Sequence, residues 1–385
     1  MLFRNARLLL PDGILSGASL RVRDGHIAAL GTDLTPEPNE AVLDLAGKFL
    51  SPGFIDMHIH GALHRDSMEA TPEAFSAICQ FHATGGTTAL ALTTVTAPEA
   101  AITAVLEAAG KIDPNATGGA RLLGIHIEGP YFSKEKPGAH PLELIREPQP
   151  EEYQKWLSYS KRITQMTVAP ELPGALQLIE ALQSHGIRAS GGHSDAWDED
   201  AAAAFAHGMR QVTHTFNCMS SARRRGPFRV AGLLEFAMGE PDILCELIAD
   251  GFHVSATLMR ALYRAKGRAG IALVTDAGAG AGLAQGETFT LGEIRGVVDG
   301  GVALTKDRKA LCSSVARMNT LVRVMVEQVD VPLFEAVQMA TANPARALGL
   351  EDQIGTLAAG LQADLVVLDD ALEVEMTFVQ GQRVF

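Results

Sequence analysis

Six imidazole or carboxylate side chains stand at the ends of short apolar runs that lie far apart in this sequence. They are His58 and His60 in FIDMHIH, Glu128 in RLLGIHIEG, His193 in GIRASGGH, His214 in QVTHTFN and Asp276 in IALVTDAG. Glu128, His193 and His214 supply the donors of a catalytic metal site, in which three His and Asp or Glu ligands leave one position for water. His58 and His60 are two residues apart. The period of two along a strand turns both imidazoles to the same side, with Asp56 behind them. They can bind a second ion or help to hold the first. Asp276 suits another role. A metal brings the pKa of its bound water toward ~7, and amide hydrolysis then needs a base that takes the water proton and returns it to the leaving nitrogen.

Taken singly, each histidine reads as readily as a structural or solvated residue, and Glu128 as a surface carboxylate. Such groups at the ends of five strands are hard to accept as coincidence. No Ser-His-Asp set competes. The glycine-rich GAGAGLAQG at 278 to 286 has neither a GxGxxG nor a Walker pattern and reads as a flexible loop.

The elements that would carry these groups alternate between apolar strands and helices. To the five runs above are added TTALALTTV, ITQMTVAPE and ILCELIADG, which makes eight strands. Helical stretches such as TPEAFSAICQFHATG and LPGALQLIEALQSHG separate most of them and end in glycine, as helices often do. Eight β-α units imply an α/β fold, a closed (β/α)8 TIM barrel over residues 50–346, with its active site at the C-terminal ends of the strands. Both chain ends are β-rich. LRVRDGHIAALG turns at Asp24-Gly25, ADLVVLD is a short strand, and TFVQGQRVF turns at Gln380-Gly381. Segments 1–49 and 347–385 together read as a small β-sandwich. The stretch from Gly280 to Cys312 reads as an irregular loop excursion.

Composition agrees with a large soluble enzyme. The chain has 385 residues, 47% of them apolar and 20% charged, which supports a large core and argues against disorder. No apolar run approaches the ~20 residues of a membrane span, and the N-terminus is too quickly interrupted to be a signal peptide. Cys79, Cys218, Cys245 and Cys312 lack CxxC spacing and read as reduced thiols of a cytoplasmic protein. A net charge of −13 excludes nucleic acid as an expected partner, because there is no basic excess to displace counterions.

SPGFIDMHIHG, HIEGP, GGHS, THTFN, ADGFHV, VTDAG and the ending IGTLAAGLQADLVVLD, taken together and in this order, resemble the amidohydrolase superfamily. More narrowly they resemble the N-acetylglucosamine-6-phosphate deacetylases, with HIEGP followed by KPGAH, and THTFN followed by ADGFH, as the specific signatures. The resemblance covers essentially the whole chain. It implies a divalent metal at Glu128, His193 and His214 and Asp276 as general base and acid. It also implies that Ala139 and His140 of KPGAH lie at the substrate amide, His140 polarising its carbonyl. Asn217 and Cys218 would lie along the sugar. Arg225 and His253 would hold the phosphate, with Arg223 and Arg224 as rivals in SSARRRGPF. Leu311, Cys312 and Ser313 would lie against the acetyl group, with LCSS standing where relatives carry a glycine after the leucine. Members with both histidines of HxH can hold two ions. Strand four, ITQMTVAPE, contains no lysine to be carbamylated, which counts against dihydroorotase, hydantoinase and urease-like readings.

The resemblance thus implies hydrolysis of N-acetyl-D-glucosamine 6-phosphate to D-glucosamine 6-phosphate and acetate. Zn2+ is the expected cofactor, with Fe2+, Co2+ or Mn2+ as alternatives, at one or two ions per chain. The expected partners are the small phosphorylated amino sugar and a second copy of the chain in a homodimer; neither nucleic acid nor membrane is expected. The alternatives are a deacetylase of N-acetylgalactosamine 6-phosphate or of an N-acyl amino acid, and a metal-free scaffold barrel, against which the intact Glu128, His193, His214 and Asp276 argue.

Overall fold

A computed structural model describes residues 1–385. The eight apolar runs form eight strands that pair in chain order: β1 (Phe54–Ile59), β2 (Thr87–Thr93), β3 (Arg121–Glu128), β4 (Ile163–Val168), β5 (Arg188–Gly191), β6 (Gln211–Val212), β7 (Leu244–Leu247) and β8 (Ile271–Leu273). Successive strands run parallel. They read as continuous apolar runs because both of their faces are covered. The ring nearly closes between its first and last strands. There the Asp276 N–H donates to the His58 carbonyl at 2.9 Å, and Ile59 bridges Ala277 in parallel.

Helices ring the strands. In α1 (Pro72–Ala83), Thr71 caps the first turn by accepting the Ala74 N–H at 3.2 Å, and Phe75, Ile78 and Cys79 are buried. In α2 (Ala175–Ser184), Leu178, Ile179 and Leu182 share one buried face. These side chains belong to the main apolar core. Truncating Leu178 to alanine would cost about 2–5 kcal/mol. The barrel interior is polar instead. Gln165 on β4 donates across the barrel to the Met57 carbonyl at 3.1 Å and to Glu246 on β7 at 3.0 Å.

The chain ends build a second, mostly antiparallel sheet. Its strands are Leu2–Leu10, Gly13–Arg23, His26–Gly31, Val42–Asp44 and Phe49–Pro52 from the start, and Leu365–Leu368, Val374–Val379 and Gln382–Arg383 from the end. The hairpin residues Asp24-Gly25 and Gln380-Gly381 all have positive φ, at 47°, 77°, 48° and 74°, as two-residue turns of the favoured hand require. The sheet curls on itself. The strands carrying Phe3 and Phe378 are three places apart in the strand order, about 14 Å on a flat sheet, yet the two rings meet at 5.1 Å. This gives the sandwich-like module its own core.

The expected loop excursion from Gly280 to Cys312 is in fact ordered as four antiparallel strands: Thr288–Leu291, Ile294–Asp299, Val302–Thr305 and Leu311–Ser313. Exposed Thr288 and Thr290 alternate with buried Phe289 and Leu291, a period-two pattern masked by the surrounding glycines. The buried face of this small sheet packs with Val95, beyond the end of β2, so it covers one side of the barrel's C-terminal rim. No helix is long and apolar enough to cross a membrane.

Candidate active site

At the C-terminal rim lies a cavity of about 290 Å³. Its polar wall includes His60 from the end of β1, Glu128 from the end of β3, His193 and His214 from beyond β5 and β6, and Asp276 from beyond β8. His58 sits beneath them, fully buried. His193, His214 and Asp276 all adopt left-handed backbone, with φ of 48°, 29° and 49°. Such strain costs of order 1–3 kcal/mol per residue and concentrates at functional sites.

The donor atoms converge. Glu128 Oε1 lies 3.1 Å from His214 Nε2 and 3.4 Å from His193 Nε2, and the two Nε2 atoms are 3.1 Å apart. These separations approach the ~3.3–3.4 Å ligand-to-ligand edge of a tetrahedron with metal–ligand bonds near 2.0–2.1 Å. On the other side, Glu128 Oε2 lies 3.2 Å from His60 Nε2 and 3.6 Å from His58 Nε2. Asp276 Oδ1 lies 3.1 Å and 3.5 Å from the same two nitrogens.

Hydrogen bonds on the far side of three of these rings decide their chemistry. His193 Nδ1 donates to the Lys136 carbonyl at 2.9 Å, and His60 Nδ1 to the Thr93 carbonyl at 3.2 Å. Carbonyls accept only, so in its neutral form each ring turns an Nε2 lone pair toward the rim, the form that ligates a metal. His58 Nδ1 faces Glu246 Oε2 at 3.0 Å, and its Nε2 is buried without a hydrogen-bond partner. Orphaned buried nitrogens are rare in proteins, and a cation satisfies this one. The donor set therefore fits a divalent metal.

His140 is different, although its Nε2 comes within 3.7 Å of Glu128 Oε2. Its Nδ1 accepts the Thr96 backbone N–H at 3.1 Å, so the proton of a neutral ring sits on Nε2. Burial, then the neighbouring His193, push its pKa down to about 3. We read His140 as a neutral hydrogen-bond donor and not a ligand. Gly138 makes this loop possible. A Cβ there would meet Cys218 Sγ at 2.9 Å and His193 Cε1 at 3.0 Å, and its φ is +59°.

The carboxylates and imidazoles otherwise share protons. Burial opposes the charged form of His60, but its hydrogen bonds to Asp276 and Glu128 hold it up at about 9. Burial likewise works against ionised Asp276, and the charge of His58 and hydrogen bond of His60 outweigh it, to about 2. A divalent cation replaces these protons as the neutralising charge.

The remaining wall divides in two. Asn217, Cys218 and His253 line the cavity. Asn217 Nδ2 is buried with no partner. His253 Nδ1 donates to Asp250 at 2.7 Å; burial opposes its charged form, but Asp250 raises its pKa. Ala139, Leu311, Cys312 and Ser313 line the cavity together with Val95, Leu291 and Ile294; the last three, with the covering sheet, were missed by sequence reasoning. Arg225 is not brought in. It lies on a hairpin (Arg223–Arg225 and Phe228–Val230), half exposed, paired with Glu199 and stacked on Trp197 at 4.0 Å. Arg223 pairs with Asp195 and stacks on the same indole. Sequence reasoning also missed Thr96, the Lys136 carbonyl and Glu246, which act through a backbone group or from within an apolar run.

Comparison with known proteins gives the family. Residues 49–384 match the model of the Amidohydrolase family. An N-acetylglucosamine-6-phosphate deacetylase of Vibrio furnissii is 38% identical over 338 residues, covering 87% of this chain and 83% of its own. An N-acetylgalactosamine-6-phosphate deacetylase of Escherichia coli O157:H7 is 35% identical over 98% of both chains. A variant of the Mycobacterium smegmatis N-acetyl-D-glucosamine-6-phosphate deacetylase, solved in complex with N-acetyl-D-glucosamine-6-phosphate, superposes with a TM-score of 0.92 at 31% identity, covering 100% of this chain and 99% of that one. The chain belongs to the amidohydrolase family and, within it, to the N-acetylglucosamine-6-phosphate deacetylases.

Proposed function

We propose that this enzyme hydrolyses the acetamide of N-acetyl-D-glucosamine 6-phosphate, releasing acetate and D-glucosamine 6-phosphate. One observation carries the reading: the same small cavity holds imidazoles whose Nε2 lone pairs face inward and one, His140, whose Nε2–H does. Ligands and an electrophilic donor thus stand side by side with a carboxylate, Asp276.

In this reading Glu128, His193 and His214 hold a divalent ion, and His58 and His60 hold a second or reinforce the first. The ion supplies Lewis acidity toward the attacking water and the substrate carbonyl. Asp276 takes a proton from the water at its carboxylate and returns it to the sugar nitrogen as the C–N bond breaks. His140 Nε2–H donates to the carbonyl oxygen as negative charge develops there. The apolar face of Val95, Leu291, Ile294 and Cys312 suits the acetyl methyl. Asn217 Nδ2 suits a sugar oxygen and His253 the phosphate. Histidine and carboxylate donors favour zinc, with iron, cobalt and manganese as alternatives.

We further infer a homodimer in the cytoplasm. The four thiols are unpaired, which suits a reducing compartment. The hairpin of Arg225 exposes 71% of Phe228, an apolar group that a second copy would cover. Arg225 enters the reading only by that route, because its own chain keeps it outside the cavity. The galactosamine 6-phosphate epimer is a second reading, favoured by the relative of that name at 35% identity. Acetate release from phosphorylated and unphosphorylated N-acetylhexosamines tests the assignment. N-acetyl-D-glucosamine 6-phosphate should give the highest kcat/KM, and no preference for phosphorylated sugars would overturn it.

A further inference from the structure

Beneath the metal-binding rim, the barrel interior holds a fully buried carboxylate with no part in the chemistry above, Glu246 on β7. Its Oε1 accepts from Gln211 Nε2 at 2.6 Å and Gln165 Nε2 at 3.0 Å. Its Oε2 accepts the His214 backbone N–H at 3.3 Å and faces His58 Nδ1 at 3.0 Å.

The orientations of both amides are forced by groups that can only donate or only accept. Arg188 Nε, a donor only, sits 2.7 Å from Gln211 Oε1, so Gln211 turns its Nε2 toward Glu246. Gln165 Nε2 also faces the Met57 carbonyl at 3.1 Å, an acceptor only, and Gln165 Oε1 takes the second Gln211 proton at 2.9 Å. Apart from His58, then, every neighbour of the Glu246 oxygens is a donor. The carboxylate can only accept, and His58 Nδ1 must carry the proton between them. The result is a chain from the barrel's base to its rim: Arg188, Gln211, Glu246, His58.

We propose that Glu246 is the positioning residue of the metal centre. It fixes His58 in its Nδ1–H form, aims the bare Nε2 at the rim and makes it a stronger ligand. His193 and His60 have only neutral carbonyls in that position, and His214 Nδ1 has no partner. His58 alone is backed by a negative charge. Removing that charge therefore weakens the ion held on the His58–His60 side, while the Glu128, His193 and His214 side keeps its ligands. This rests on the metal-centre reading of the site, and its test uses zinc alone, without substrate.

The experiment measures zinc affinity and stoichiometry by chelator competition in the wild type, Glu246→Gln, His58→Asn and the double variant. Glu246→Gln should weaken the more labile zinc by about 10- to 100-fold, the usual effect of losing such a partner, and should add nothing in the His58→Asn background. Unchanged affinity in Glu246→Gln overturns the proposal. So does an equal loss in both backgrounds, which would mean that Glu246 acts on the fold and not through His58. In case Glu246→Gln does not fold, nitrogen NMR of zinc-loaded wild type, with His58 assigned by its loss in His58→Asn, gives an independent reading. A protonated Nδ1 supports the proposal, and a protonated Nε2 overturns it. Wild type that binds no zinc overturns the metal centre itself, a failure distinct from those above.

Discussion

Replacing His140 with asparagine separates its two chemically opposite roles. Its Nε2 lies 3.7 Å from Glu128 Oε2, only just beyond the 3.6 Å of His58, so distance alone would not set it apart from a ligand. The Thr96 N–H at Nδ1 argues that it is a donor. The magnitude follows from its setting. The His140 side chain is 7% exposed and neutral, with its pKa near 3, so it donates without reorganisation in a site of low dielectric. Losing one such donor to a developing oxyanion lowers kcat about 10²- to 10³-fold, or ~3–4 kcal/mol. Asparagine Oδ1 hangs from Cγ as Nδ1 does and can still accept the Thr96 N–H, so the variant removes the Nε2–H and leaves the loop contact in place. The assay pairs kcat on N-acetyl-D-glucosamine 6-phosphate with metal analysis of the same preparation. The expected result is a deep loss of kcat at full metal content. A variant that loses its ion, or keeps near-normal kcat, refutes the tautomer argument.

Asp276→Asn keeps the shape of the side chain but cannot take a proton. It should fold, keep most of its metal and lose about 10²–10⁴ in kcat; near-normal kcat would remove Asp276 from the acid–base role. Arg225→Ala, if the residue reaches substrate across a dimer, should lower kcat/KM on the phosphorylated sugar by about 10- to 150-fold and leave the unphosphorylated sugar unchanged. Equal losses on both would exclude it as the phosphate anchor. His82 donates from Nε2 to the Gly61 carbonyl at 3.1 Å, and burial pushes its pKa down to about 4. The fold keeps this ring neutral while the unfolded chain protonates below about 6.5, so its contribution is complete above that pH. About 3 kcal/mol is then lost as pH falls toward 4. Urea midpoints between pH 7.5 and 4.5 should fall less steeply for His82→Gln than for wild type, and equal slopes would contradict this.

The barrel was legible because its strands are continuous apolar runs and its helices carry capping and glycine signals. The six rim residues stood out because polar groups at the ends of such runs have no structural need to be there. Other features left no such mark. Glu246 lies inside the apolar run ILCELIADG, where its inward direction cannot be read without the closed barrel. The left-handed backbone of His193, His214 and Asp276 is carried by residues that do not advertise it, as glycine would. The covering sheet was hidden because glycines at 292, 296, 300 and 301 break its alternation. Nor can residue type distinguish His140 from the ligating histidines, because a backbone N–H sets the difference.

The central claim is that metal held at this rim drives deacetylation of a phosphorylated amino sugar. The most direct measurement follows acetate and free amine released from N-acetyl-D-glucosamine 6-phosphate by the purified enzyme as isolated, after exhaustive chelation, and after a divalent metal is added back. Turnover should vanish with the metal and return with it, and His193→Ala or His214→Ala should neither retain the ion nor recover. Full turnover in rigorously metal-free protein would contradict the account.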